Sequence, residues 1–174
     1  QGIDAPFAIQ AATIADALAG HDVCGKAKTG SGKTLAFGLP MLQNAAEAKP
    51  GHPTALVLVP TRELARQVVE VLSPLGKAIN VRVAAFYGGA SMDRQIRNLR
   101  RRIEVAVATP GRLIDLLERK EVELDQVRIL VVDEADRMAD MGFLPQVEWL
   151  LRGVPRDRQT LLLDRKSTRL NSRH

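Results

Sequence analysis

Four short runs of apolar, often β-branched residues recur along the chain at Thr54–Val59, Val81–Phe86, Ile103–Ala108 and Ile129–Val132, each bounded by Pro, Gly or charge. Runs this short with no alternating polar face read as strands covered on both sides. Between them lie stretches with helical spacing: Phe7–Leu18 behind Pro6, Thr34–Gln43, Arg62–Leu72, Asp93–Leu99, Leu113–Glu118 and Gln146–Leu151. Parallel strands need crossover connections and helices supply them. The alternation therefore predicts an α/β fold, a mostly parallel sheet with helices on both faces. Ligands of such sheets gather at the carboxyl ends of the strands. The stretch from Ala45 to Pro53, with two prolines and a glycine, reads as an exposed connection.

The 174 residues suit one domain, and no apolar run is long enough to span a bilayer, so no membrane is expected. A single cysteine, Cys24, excludes a disulfide framework and fits a reducing, cytoplasmic setting; Cys24 itself reads as a small buried hydrophobe of a first strand. His21, His52 and His174 are scattered, so no zinc cluster is expected. Trp149, on an amphipathic segment after Pro145, reads as core or as an interface anchor. Aromatic residues are only 3%, which argues against modules that stack bases on exposed rings; any nucleic acid would be held by its backbone.

The most specific motif is Ala27-Lys28-Thr29-Gly30-Ser31-Gly32-Lys33-Thr34, between the apolar pair Val23-Cys24 and the helix that starts near Leu35. This is a phosphate-binding loop in its expected place. Gly30 and Gly32 permit a tight turn whose N–H groups face inward, Lys33 adds a point charge for nucleotide phosphates, and Thr34 offers a hydroxyl to Mg²⁺. The strict pattern has Gly where Ala27 stands, a change tolerated at negative φ. Further on, Ile129–Val132 runs into Asp133-Glu134-Ala135-Asp136. Carboxylates after a strand can be plain helix caps. Beside a phosphate-binding loop, Asp133 is placed to hold Mg²⁺, and Glu134 to orient or deprotonate an attacking water. Lys33, Asp133 and Glu134 are the candidate catalytic groups.

These elements and several others fall in an order that resembles the first RecA-like domain of DEAD-box RNA helicases. The literal Asp-Glu-Ala-Asp is one match. Gly2, Pro6, Ile9 and Gln10 match the family's Q motif, and the resemblance implies that Gln10 reads adenine. Pro60-Thr61-Arg62-Glu63-Leu64-Ala65, Gly88-Gly89 and Thr109-Pro110-Gly111-Arg112 match the elements that contact the RNA backbone. The implied RNA-binding residues are Pro60, Thr61, Arg62, Gly88, Gly89, Thr109, Pro110, Gly111 and Arg112. Asp136 is implied to couple this domain to a second one. The residues agree with this physically, because strand ends and helix starts present N–H groups, hydroxyls and guanidinium groups to phosphates. Thr61 and Thr109-Pro110 also read as ordinary helix starts, and Gly88-Gly89 alone as a plain turn. Arg94, Arg97 and Arg101 share one helical face and read mainly as a solvated stripe.

The resemblance covers residues 1–163 and implies ATP, Mg²⁺ and RNA as ligands. It places this chain as one wall of a cleft whose other wall, a second RecA-like domain, lies outside it. The family's Ser-Ala-Thr element is expected just after Leu162, where Asp164-Arg165-Lys166 stands. Residues 164–174, DRKSTRLNSRH, differ from one translated frame of a common sequencing adapter only at Arg173. They are expected to be extraneous and unstructured. That tail supplies three of the five net positive charges, so RNA binding rests on local placement of Arg62 and Arg112 rather than on global charge. The parent is expected to be an RNA-dependent ATPase and duplex unwinder, and the chain by itself a binding module with little turnover.

Overall fold

The computed structural model describes residues 14–26 and 32–165. Within these, β1 (Val23–Lys26), β2 (Ala55–Leu58), β3 (Val83–Phe86), β4 (Val105–Ala108), β5 (Ile129–Asp133) and β6 (Gln159–Asp164) form one sheet in the order β1-β6-β5-β2-β4-β3. Every pairing is parallel. Six helices connect them: α1 (Lys33–Asn44), α2 (Arg62–Ala78), α3 (Met92–Leu99), α4 (Pro110–Glu118), α5 (Ala135–Asp140) and α6 (Leu144–Arg152). Residues 14–18 are also helical. None of these helices is long and apolar enough to cross a membrane.

The sheet is buried on both faces, as its unbroken apolar runs require. Ala55, Val57, Val105, Val107, Ile129 and Val131 pack on the side of α1 and α2, with Phe37, Met41, Val68 and Leu72. Their neighbours Leu56, Leu58, Ala106, Ala108, Leu130 and Val132 point the other way, onto Leu113, Leu116, Met138 and Leu150. Close packing holds α2 in place: a Cβ at Gly38 would meet Leu72 at 2.3 Å, and one at Gly76 would meet the Val81 carbonyl at 2.5 Å. This explains why α2 runs past its expected end at Leu72 and through Pro74. Its last turn is seated against the start of β3, where Val81 N–H donates to Gly76 O at 2.8 Å.

At the amino ends of the strands, one carboxylate ties several segments together. Glu104, 2% exposed, accepts from Ala48 N–H at 2.9 Å and Arg82 N–H at 3.0 Å, and pairs with Arg102 at 3.2 Å. Nearby, His52 Nδ1 lies 2.8 Å from Asp125 Oδ1 and 3.9 Å from Glu123 Oε2, so this histidine is not the isolated residue that the spacing suggests. Hydrogen bonds from His52 and then Gln126 hold Asp125 below the usual carboxylate range.

Two expectations need correction, those for Cys24 and Asp164, while Trp149 is narrowed and one short helix is additional. Cys24 is exposed, because β1 is an edge strand with one partner and its side chains alternate outward. Of the two readings of Trp149, core is ruled out, because the side chain is 46% exposed on α6, and the interface anchor stands untouched. The short helix α5, only six residues, is hidden in the sequence by its acidic start. Asp164, assigned to an unstructured tail, is instead the last residue of β6 and pairs in register with Lys26. Strand pairing is made by the backbone, so the ladder tolerates a change of side chain there.

Candidate functional site

Because all the strands run one way, the motifs that fall among the described residues lie at one rim of the sheet. β1 leads into the phosphate-binding loop, β2 into Pro60-Thr61, β3 into Gly88-Gly89 and β4 into Thr109-Pro110, while β5 ends in Asp133. Gln10 and Ala27, Lys28, Thr29, Gly30 and Ser31 lie outside the described residues. Gly32 caps α1 with φ 78°, a left-handed conformation that favours glycine. Lys33 and Thr34 then open the helix.

Lys33 Nζ and Asp133 Oδ1 are 2.9 Å apart, with side chains 6% and 1% exposed. The approach is poorly directed. Neither Nζ nor either Asp133 oxygen has a well-formed hydrogen bond among the described residues. Buried charges left so incompletely satisfied are costly, and they suit a ligand that brings both phosphate oxygens and a cation. Burial pushes the Asp133 carboxyl above its ordinary value, against the opposing pull of the Lys33 charge. Glu134 follows in a left-handed conformation, φ 51° and ψ 47°, as the N-cap of α5, and is 2% exposed. A non-glycine residue held there is strained, and such strain clusters at functional sites. Its carboxylate accepts from Arg137 at 3.2 Å. A hard donor set of Thr34 hydroxyl and Asp133 carboxylate is chemically suited to Mg²⁺.

Asp136 faces the end of β6. Its N–H donates to Asp164 Oδ1 at 3.1 Å, and its carboxylate takes the Arg165 N–H at 3.4 Å and Nε at 3.3 Å. Burial is the largest single influence on Asp136 and pulls it upward, but the Arg165 and Arg137 N–H groups and the Arg165 charge and side chain together outweigh it and leave the carboxyl below its usual range.

The three other elements converge on a cleft of about 520 Å³ that Pro60, Arg62, Gly88, Thr109, Pro110, Gly111 and Arg112 line together with Asp115, Phe143 and Gln146. Gly89, with φ 80°, lets the Arg62 guanidinium approach: a Cβ there would meet Nη1 at 2.8 Å. Thr61 caps α2 by accepting from Leu64 N–H at 3.2 Å, whereas Thr109 makes no such bond at the start of α4. Arg112 Nη1 donates to Ala90 O at 3.2 Å and to Gln95 Oε1 at 2.9 Å. Gln95, 5% exposed, in turn donates to Tyr87 O at 3.0 Å. Its amide thus joins the glycine turn to the arginine across the cleft. The motifs do not name Gln95. A signal was present, since it shares a helical face with Leu99 four residues on, where a polar residue is out of place. Arg94 and Arg97 are exposed, in keeping with a solvated stripe.

A parallel α/β sheet whose first crossover opens on a glycine-led lysine facing a strand-end aspartate defines a RecA-like phosphate-binding-loop domain. The family model described as DEAD/DEAH box helicase matches residues 7–163. The ATP-dependent RNA helicase CshA of Listeria monocytogenes is 47% identical over 161 residues, which are 92% of this chain and 31% of that protein. The ATP-dependent RNA helicase DBP2 of Chaetomium thermophilum is 49% identical over 167 residues, 93% of this chain and 30% of that one. A crystal structure of a hypothetical ATP-dependent RNA helicase from Sulfolobus tokodaii superimposes with a TM-score of 0.85 at 36% identity, covering 95% of this chain and 47% of that chain. The chain belongs to the DEAD/DEAH box helicase family. It spans roughly a third of the length of the curated relatives it matches.

Proposed function

We propose that this chain is the ATP- and RNA-binding half of an ATP-dependent RNA helicase, and that the whole protein couples RNA-stimulated ATP hydrolysis to local unwinding of a duplex. The observation that carries this reading is the shared rim: the buried Lys33–Asp133 pair and the Arg62–Arg112 cleft occupy the same ends of one parallel sheet. Lys33 would meet the nucleotide phosphates, Gln10 the adenine, and the N–H groups from Ala27 to Gly32 the phosphate oxygens. Thr34 and Asp133 would hold Mg²⁺, which when bound neutralises charge on the transferring phosphate. Glu134, at the start of α5, would orient a water and take its proton. Pro60, Thr61, Arg62, Gly88, Gly89, Thr109, Pro110, Gly111 and Arg112 would hold the RNA backbone, with little reading of base sequence. Asp136 would pass the state of the nucleotide site to a second RecA-like domain.

Taken alone, the chain is best read as a binding module with little turnover. An arginine supplied from a second domain is a contribution worth about 10³ to 10⁵ in rate, and nothing in the described rim replaces it. The test is equilibrium binding and hydrolysis by the purified chain. It should bind ATP and single-stranded RNA weakly and hydrolyse ATP barely above background. RNA-stimulated hydrolysis abolished by Lys33→Ala and by Glu134→Gln would show that the chain is a complete enzyme. Equal response to DNA would point instead to a DNA motor.

A further inference from the structure

The rim that carries the motifs leaves the far edge of the sheet unexplained. Among the described residues β3 pairs only with β4, and Val83, Ala84 and Ala85 are half-exposed where every residue of β2, β4 and β5 is buried. The Arg82 and Phe86 carbonyls accept from Val105 and Thr109 N–H at 3.0 Å. By the alternation of a parallel ladder, Val83 and Ala85 therefore turn their N–H and C=O groups to the open side. This edge is not a flat surface. Its first part, from Val81 to Ala84, is the floor of a cleft of about 440 Å³ walled by Ser73 and Lys77 of α2 from one layer and by Asn98 and Arg101 from the other, and Ala85 continues the edge just beyond that floor. Lys77, Arg82 and Arg101 all line it, no carboxylate does so among the described residues, and none of the three cations has an ion-pair partner among those residues. The next arginine along, Arg102, is paired with Glu47 and Glu104.

We infer that this cleft is a docking site for an extended acidic segment of a partner protein, which adds to β3 as a further strand. Backbone groups of Val83 and Ala85 would supply the ladder, and the side chains of the added strand would alternate between the Lys77 wall and the Arg101 wall. Charge complementarity selects an acidic partner, and the strand floor selects a peptide over a nucleic acid. The same cations also fit a simpler purpose, keeping one edge strand from pairing with another copy of itself. The two uses differ in what they bind.

The probe is a fluorescein-labelled, glutamate-rich peptide of about six residues, the length of an ordinary strand. Titrated with the full 174-residue chain, it should bind with an affinity that falls as salt rises. Its glutamine counterpart should bind about tenfold more weakly, and so should the acidic peptide to an Arg82→Glu/Arg101→Glu variant, whose changes lie on exposed positions that leave the fold intact. An acidic peptide with proline at its centre, which has no N–H to give the edge, should also bind less well. Any of four results overturns the proposal: no binding, undiminished binding by the double variant, equal binding of the proline peptide, or displacement by oligouridylate. The last would mean that these cations read phosphates, as an RNA surface does.

Discussion

The Lys33–Asp133 pair and the Arg112–Gln95 pair each set a cation 2.9 Å from an oxygen, but in very different surroundings. On the nucleotide side, two formal charges are almost wholly buried and poorly bonded to the protein around them. On the side proposed for RNA, a half-exposed guanidinium is propped by a neutral amide engaged at both ends: Gln95 gives to Tyr87 and accepts from Arg112. One site keeps charge unsatisfied in the interior, where a small ligand with its own charges fits. The other holds a surface cation in one direction, which suits a flexible backbone arriving from solvent. The difference teaches that a binding site can be prepared either by leaving groups wanting or by fixing their aim.

The largest effect should come from breaking the buried pair. Lys33→Met leaves Asp133 without its partner and should cost about 3 kcal/mol of stability near pH 8. Asp133 already lies above its ordinary value, so the folded chain holds that proton more tightly than the unfolded chain. Its contribution is therefore greatest at acid pH and declines as pH rises through the folded value. Losing the Lys33 charge moves that value further up, so the gap between variant and wild type should widen as pH rises above the ordinary carboxylate range in denaturant titrations. A constant gap would mean that Asp133 does not titrate with the pair. On the other side, Gln95→Met should weaken RNA binding about tenfold, the effect of roughly 1 kcal/mol in the aim of Arg112, with nucleotide binding unchanged in fluorescence titrations. Loss of both affinities together would collapse the distinction between the sites.

A smaller change is expected for Gly89→Ala, which puts a side chain at positive φ and against Arg62. It should cost about 1 kcal/mol in thermal or chemical melts and lower RNA affinity a few-fold. The finest test compares the two threonines at helix starts. Thr61→Ala removes a cap and should lose about 1 kcal/mol of stability, whereas Thr109→Ala should change stability by less than about 0.5 kcal/mol. Any loss of RNA binding by Thr109→Ala would then report on the grip alone.

The central strands were readable because burial on both faces leaves unbroken apolar runs, and the motifs were readable because phosphate binding needs glycine, lysine and hydroxyl in fixed order. Edge and short elements were not. β1 exposes alternate residues, which a lone apolar pair at Val23-Cys24 does not announce, and Asp164 reads as tail because the composition changes there while the backbone ladder continues. The left-handed turn at Glu134 has no glycine to announce it. The spacing marks Gln95 as out of place beside Leu99, but not its two bonds to Tyr87 and Arg112, which only the fold brings within reach.

Glu104 has a consequence for the way the molecule comes apart. Its carboxylate holds the amides of Ala48 and Arg82, which precede different strands, and Arg102 holds it in turn. Those two protons cannot both become open to solvent without loss of the same acceptor. The base of the sheet is therefore expected to open as one cooperative unit, with the two amides losing protection together in hydrogen exchange.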